Sequence, residues 1–230
     1  MKDTHQARQF RFSMLVLASV LVAGSTQADS TGTVPFSIDN SAVNRLIIQA
    51  YEQHAVAWKP GQLYLVGICY VAEKRLDEAQ KTFQALADHD PDQARTWRAL
   101  GQVHHMKSEY IKAEECYGRA WRIGRDVPAL TMLAGLKVQT NDLLSLKRLV
   151  PDLLVHQRED VDIQKVLLSY CIMVEDKNEG GPIAVDVVRA LSPKIIEQNA
   201  DLRKLLIMVT ARYKEEVPAG NKATKDQTQD

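Results

Sequence analysis

A chain of 230 residues with 29 Lys plus Arg against 29 Asp plus Glu has no formal net charge, so nucleic-acid binding driven by bulk positive charge is excluded. Gly (11) and Pro (8) together make up about 8% of the chain, below the ~12% of ordinary proteins. That shortage of turn-formers argues against a sandwich of short strands and for an all-α fold of long helices joined by short loops.

Taken from its start, the chain opens with Lys2, Arg8 and Arg11 ahead of the apolar run Met14–Ala23, then small and polar residues through Ala28. This is the layout of a secretory signal, with Thr26-Gln27-Ala28 as its cleavage site. The run is too short for a comfortable membrane span, which takes about 20 apolar residues. The expected location is therefore periplasmic or secreted, without stable membrane insertion after cleavage. A signal-anchored or cytoplasmic protein follows if the segment is retained. Leu21–Ser25 is similar to a bacterial lipoprotein box, but Ser25 stands where that pattern requires Cys. Removal of residues 1–28 takes away three bases and one acid, leaving 26 against 28, still nearly neutral.

Residues 29–38 are polar and expected to be disordered. Val43, Leu46, Ile47, Ala50, Tyr51 and His54 then form one stripe of a leading helix. A single 34-residue shift of the chain against itself superimposes Leu63 on Trp97, Val66 on Leu100, Gly67 on Gly101, Ala79 on Ala113 and Phe83 on Tyr117. Each 34-residue unit reads as two helices, at 60–93 and 94–127. The glycines and alanines allow two helix axes to approach, and the larger side chains fill the space beside the crossing. Asp90-Pro91-Asp92 ends one helix and begins the next.

Gly135 lies one further 34-residue step beyond Gly101, so Ala129–Thr140 and Asp142–His156 are expected to form a third pair over about 128–158. Its second helix reads as degenerate: Lys147 stands in the place of the small Ala and Pro151, a kinking residue, in that of the aromatic. A fourth pair is expected over 160–192, its helices at 160–175 and 182–192 split by Gly180-Gly181-Pro182. A capping helix over 201–216 follows, with Leu202, Leu205, Leu206, Val209 and Tyr213 on one face. The polar tail 218–230 is expected to be disordered.

The 34-residue spacing and its residue types resemble the tetratricopeptide repeat, whose pattern is W-x₂-L-G-x₂-Y…A-x₃-F…P. The first unit reads Leu63-x₂-Val66-Gly67-x₂-Tyr70, Ala79-x₃-Phe83 and Pro91. The second reads Trp97-x₂-Leu100-Gly101-x₂-His104 and Ala113-x₃-Tyr117, with Arg125 in place of the closing Pro. The resemblance implies a right-handed α-solenoid of antiparallel helix pairs with capping helices, and a concave groove lined by the first helix of each pair.

The groove-facing positions would be Tyr64, Ile68 and Val71, then Arg95, Arg98, Gln102 and His105, then Met132, Leu136 and Gln139. They make an apolar end beside a basic, hydrogen-bonding centre, suited to an apolar segment with one or two acidic residues. Arg95 and Arg98 read equally well as a solvated face. The clamp with which some relatives hold a chain terminus uses Lys and Asn where this chain has Tyr64 and Ile68. The resemblance implies another protein or a peptide as partner, with self-association open. The protein is expected to be an exported scaffold or assembly factor. The alternative is a cytosolic chaperone of a secretion system that holds a client before export.

Enzyme chemistry finds no motif: the sequence has no Walker A loop, GxSxG or HExxH. No catalytic residue, cofactor or metal is expected. His104 reads as a hydrogen-bonded core histidine, and His104-His105 neighbours point about 100° apart on a helix, so they cannot readily share a metal. Asp88-His89-Asp90 reads as a helix end rather than a metal corner. Cys69, Cys116 and Cys171 lie in apolar helical patterns and read as buried small hydrophobes.

Overall fold

The computed structural model describes residues 41–53, 58–158 and 160–214. Residues 1–40 and 215–230 lie outside it, and with them the expected signal, leader and tail; so does His54. The chain divides into two compact units, one ending at Pro128 and the other starting at Ala129. The described residues are helical throughout, with no strand among them.

In the first unit α1 (Ser41–Gln53) packs on α2 (Pro60–Ala72), α2 on α3 (Leu76–His89), α3 on α4 (Ala94–Met106) and α4 on α5 (Tyr110–Gly124). The expected crossings are present. A Cβ at Gly67 would lie 2.7 Å from the Phe83 ring, and one at Gly101 would lie 2.7 Å from the Tyr117 ring. Both rings are buried, so each glycine is the space its partner ring fills. The leading helix differs from expectation by a rotation. Its inward residues are Asn44, Ile47 and Ile48, while Leu46 is 58% exposed.

Helix α6 (Val127–Gln139) begins with the last two residues of the first unit. In the second unit α7 (Leu143–His156) packs on α8 (Val161–Met173), and α8 packs also on α9 (Lys177–Ala190) and α11 (Ala200–Arg212). A six-residue helix, α10 (Pro193–Gln198), leads into α11 and has no counterpart in the sequence reading. α7 runs unbroken through Pro151, where the spacing predicts a kink or division. Gly180-Gly181-Pro182 lies inside α9 and splits nothing. The break falls at 174–176, where Asp176 caps α9 by accepting from Asn178 N at 2.9 Å.

Three of the first helices end in the same way. Lys74, Ser108 and Asn141 have φ of 59°, 61° and 56°, the left-handed region. Beside them Arg75 N donates to Tyr70 O, Glu109 N to His104 O and Asp142 N to Lys137 O, at 2.8–2.9 Å. A second bond in each turn runs from the left-handed residue to Val71, His105 or Val138, completing a Schellman motif.

Measured from this turn, the third pair is one residue out of the 34-residue frame. The left-handed residue follows Gly67 and Gly101 by seven positions, and seven before Asn141 is Ala134, not Gly135. Ala134 is buried, whereas a Cβ on Gly135 would meet nothing within 4 Å. The same shift puts buried Leu146 and Val150 at the positions of Ala113 and Tyr117, with Lys147 and Pro151 exposed beside them. The second helix is thus apolar in register, with buried Ala134 and Val150 at the places of Gly101 and Tyr117. The inter-pair loop is Asp90–Gln93 after α3 but only Arg125 and Asp126 after α5, and since α5 is one residue longer than α3 the net loss is one residue.

The residue that closes each first helix holds an acid. His104 Nδ1 lies 2.7 Å from Glu109 Oε2 and Lys137 Nζ 2.9 Å from Asp142 Oδ2, while Tyr170 Oη bonds Glu179. Tyr70 Oη donates to Glu52 at 3.2 Å. A carboxylate only accepts, so His104 carries its proton on Nδ1. The hydrogen bond from buried Lys137 holds the Asp142 carboxyl down at about 2, helped by Ser145. The His104 bond, then Lys112, lowers Glu109, and Lys147, then Tyr170, lowers Glu179.

Carboxyls held below their unfolded values stabilise the fold above the ordinary carboxylate range. They lose that contribution as pH falls from about 4 toward 2. Asp142→Asn keeps an oxygen to cap Ser145 N but removes the charge beside Lys137. Its melting temperature is expected to lie several degrees below that of the parent at pH 7. Melts at decreasing pH should show the two curves meeting near pH 2, and a gap that persists there would refute the charge as the cause.

Candidate protein-binding face

In the first unit the expected face is built from α2 and α4. The Tyr64 ring packs edge-on against Phe83 at 5.4 Å between centroids, and the Arg95 guanidinium lies 5.0 Å above it. Burial raises the Tyr64 hydroxyl pKa, opposed by Arg98 and then Arg95. Tyr64, Ile68, Gln102 and His105 are half-buried and Arg95 is exposed. His105 stands edge-on to Tyr110 and Tyr117, at 5.7 and 6.5 Å. The Gln102 amide oxygen is buried without a hydrogen-bond partner.

Four expected positions differ from their assignment. Val71 is 5% exposed and belongs to the apolar cluster that contains Ile47 and Ile48 of α1, so the leading helix covers that end of the face. Leu136 is 1% exposed because of the one-residue shift in the third pair. In the shifted frame Thr131, Gly135 and Val138 occupy the places assigned to Met132, Leu136 and Gln139; all three are half-buried. Met132 is half-buried and Gln139 exposed, one residue off that frame.

Arg98 is not a free cation. Its Nε lies 3.0 and 3.3 Å from the two oxygens of Asp126, the side chains being 19% and 14% exposed. Asp126 immediately precedes α6. Thr131, at the equivalent place in α6, donates in the same way to Asp160, which precedes and caps α8. Arg98 and Thr131 therefore tie one first helix to the entry of the next, and Arg95 is left as the exposed charge of the face. Asp126 escaped the sequence reading because nothing in its local spacing links it to a residue 28 positions earlier.

Among the described residues no group of three or more His, Cys, Asp or Glu is placed to hold a metal ion. No helix among them is long and apolar enough to cross a membrane. Asp88 accepts from Gln84 at 2.8 Å, and Asp90 follows the last residue of α3, as a helix end.

No protein-family model matches the chain. A 51-residue stretch, 22% of the chain, is 35% identical to the mouse Protein O-mannosyl-transferase TMTC1, and it spans 5% of that protein's length. The crystal structure of a tetratricopeptide repeat protein from Parabacteroides merdae matches 76% of this chain and 70% of its own. Its TM-score is 0.56 at 14% identity. At that identity the likeness is one of fold: the chain has the tetratricopeptide-repeat fold.

Proposed function

We propose that this tetratricopeptide-repeat chain is a non-catalytic binding scaffold whose α2–α4 face captures a protein segment with an apolar anchor and an acidic residue. The observation behind the reading is the Arg95–Tyr64 stack: an exposed cation held over an aromatic ring that is only half covered. Arginine on an aromatic is positioned without losing its charge, so a carboxylate meets a group already oriented. Ile68 and the edge of Tyr64 supply the apolar contact. The carboxylate engages Arg95, because Arg98 is already paired with Asp126.

The basic and apolar run before Ala28 supports export, and with it a partner in the cell envelope. Fractionation of cells expressing the full chain tests this, since a full-length cytosolic product would favour the secretion chaperone instead. The face itself is tested by a photo-crosslinking residue at Ile68. Arg95→Glu removes an exposed charge and its stack on Tyr64, so stability is expected to stay within about 1 kcal/mol of the parent. Affinity for the crosslinked partner, measured by titration, should fall by about tenfold or more, the scale of an arginine contact. Unchanged affinity would remove the α2–α4 face as the binding site.

A further inference from the structure

The end of α3 and the loop after it carry three carboxylates, Asp88, Asp90 and Asp92. The last two turns of α5 and the residue after it carry three arginines, Arg119, Arg122 and Arg125. Packing sets the two groups side by side. Trp97, in the first turn of α4, donates from Nε1 to Pro91 O at 2.8 Å, and the Arg119 guanidinium lies 3.9 Å from the centre of the same indole. A Cβ on Gly124 would lie 2.6 Å from Ala94 Cβ, so the end of α5 meets the start of α4 directly.

All six charged residues are exposed, and among the described residues none of them makes an ion pair. Asp88 and Asp90 accept only from the neutral amides of Gln84 and Gln93, which leave their charge uncompensated. Arg119 and Arg122 stand three residues apart on one helix, where like charges repel. Arg119 on Trp97 and Arg125 on Trp121 are held by their indoles with the charge intact.

Two strips of opposite sign that lie edge to edge are complementary to the same surface turned through half a circle. A two-fold axis near Trp97 would set the acidic strip of each copy against the arginines of the other and neutralise both at once. Trp97 is half-buried between the strips and supplies the aromatic centre that such contacts favour. We propose that this surface is a two-fold interface whose occupant is a second copy of this chain. Pairing doubles the valence of every binding face the chain carries. The interface uses no residue assigned to the α2–α4 face, so the two readings stand or fall separately.

Sedimentation velocity of the full chain tests the interface. A concentration-dependent dimer is expected at about 0.1 M salt and a monomer at about 1 M, where screening acts beyond ~3 Å. Arg119→Glu with Arg122→Glu should weaken the dimer by about a hundredfold or more, since the axis counts each reversal twice. Asp88→Lys with Asp92→Lys should do the same, and both chains should keep the parent's far-UV ellipticity. All four substitutions in one chain exchange the strips at unchanged net charge, and the dimer should return. An equimolar mixture of the two double variants repeats this test without the fourfold chain and should give a one-to-one heterodimer. A parent that stays monomeric at low salt up to about 1 mM, the weak end of specific association, overturns the proposal. So does a dimer that survives high salt or the arginine reversals. Exchanged strips that fail to pair in both tests would overturn the second copy as occupant and assign the arginines to an acidic partner of another kind.

Discussion

Replacing Gly101 by leucine is expected to unfold the first unit. A single Cβ there would already sit 2.7 Å from the Tyr117 ring and 3.1 Å from Cys116 Cβ, and Tyr117 is 1% exposed with nowhere to move. Leucine is expected to cost more than about 3 kcal/mol, at the upper end of overpacking effects. Gly101→Ala should still cost about 1–3 kcal/mol, even though alanine gains ~1 kcal/mol of helix propensity over glycine. Gly135→Ala keeps that gain with no clash and should raise stability by up to about 1 kcal/mol. Trp58, Trp97 and Trp121 all lie in the first unit, so thermal melts followed by tryptophan fluorescence read the Gly101 variants directly. A neutral Gly101→Ala would refute the tight crossing with Tyr117, and a destabilising Gly135→Ala would refute the one-residue shift of the third pair.

Tyr213→Ala is the largest effect expected in the second unit. The side chain is 1% exposed, fills the space beside Gly180 and bonds Cys171 O, so its loss leaves both a cavity and an unsatisfied carbonyl. The cost should be about 3–5 kcal/mol, against about 1–3 kcal/mol for Tyr213→Phe, which removes only the hydroxyl. Gly180→Ala alone should destabilise as well. Combined with Tyr213→Phe it should cost less than the sum, since the hydroxyl it collides with is gone. Far-UV melts of the four chains measure this coupling, and strict additivity would show that Gly180 and Tyr213 do not share the site.

The paired glycines and aromatics of the first unit were legible because each occupies a position that only one size of side chain fits. Gly67 with Phe83 and Gly101 with Tyr117 repeat with the 34-residue period and meet in space as the spacing implies. The third pair misled the reading because Gly135 keeps that period by sequence but not by structure. The better signal was the apolar pair Leu146 and Val150, which stands one place short of a full period after Ala113 and Tyr117. A helix and loop that together are one residue shorter shift everything after them, and glycine alone cannot report that.

The binding face was legible only where exposure follows from helix position, as for Arg95 and Ile68. The Arg98–Asp126 pair and the cover that α1 places over Val71 depend on tertiary contacts between distant residues. Gly180-Gly181-Pro182 looked like a break on composition. Yet Gly180 is buried under Tyr213, a demand of packing rather than of chain flexibility.

All three cysteines are unpaired and buried, and burial pushes their thiols up, Cys69 and Cys171 to about 12 and Cys116 to about 11. Almost no thiolate exists at neutral pH, and thiolate is the species that reacts. Their chemical inertness is therefore a property of the native state only. In an oxidising compartment the unfolded chain would present three ordinary thiols, and random cross-links could form before the helices pack. Helical pairs close mainly local contacts, which makes for rapid folding. In such a compartment, fast closure of local helical pairs would shorten the time for which the sulfurs are open to an oxidant.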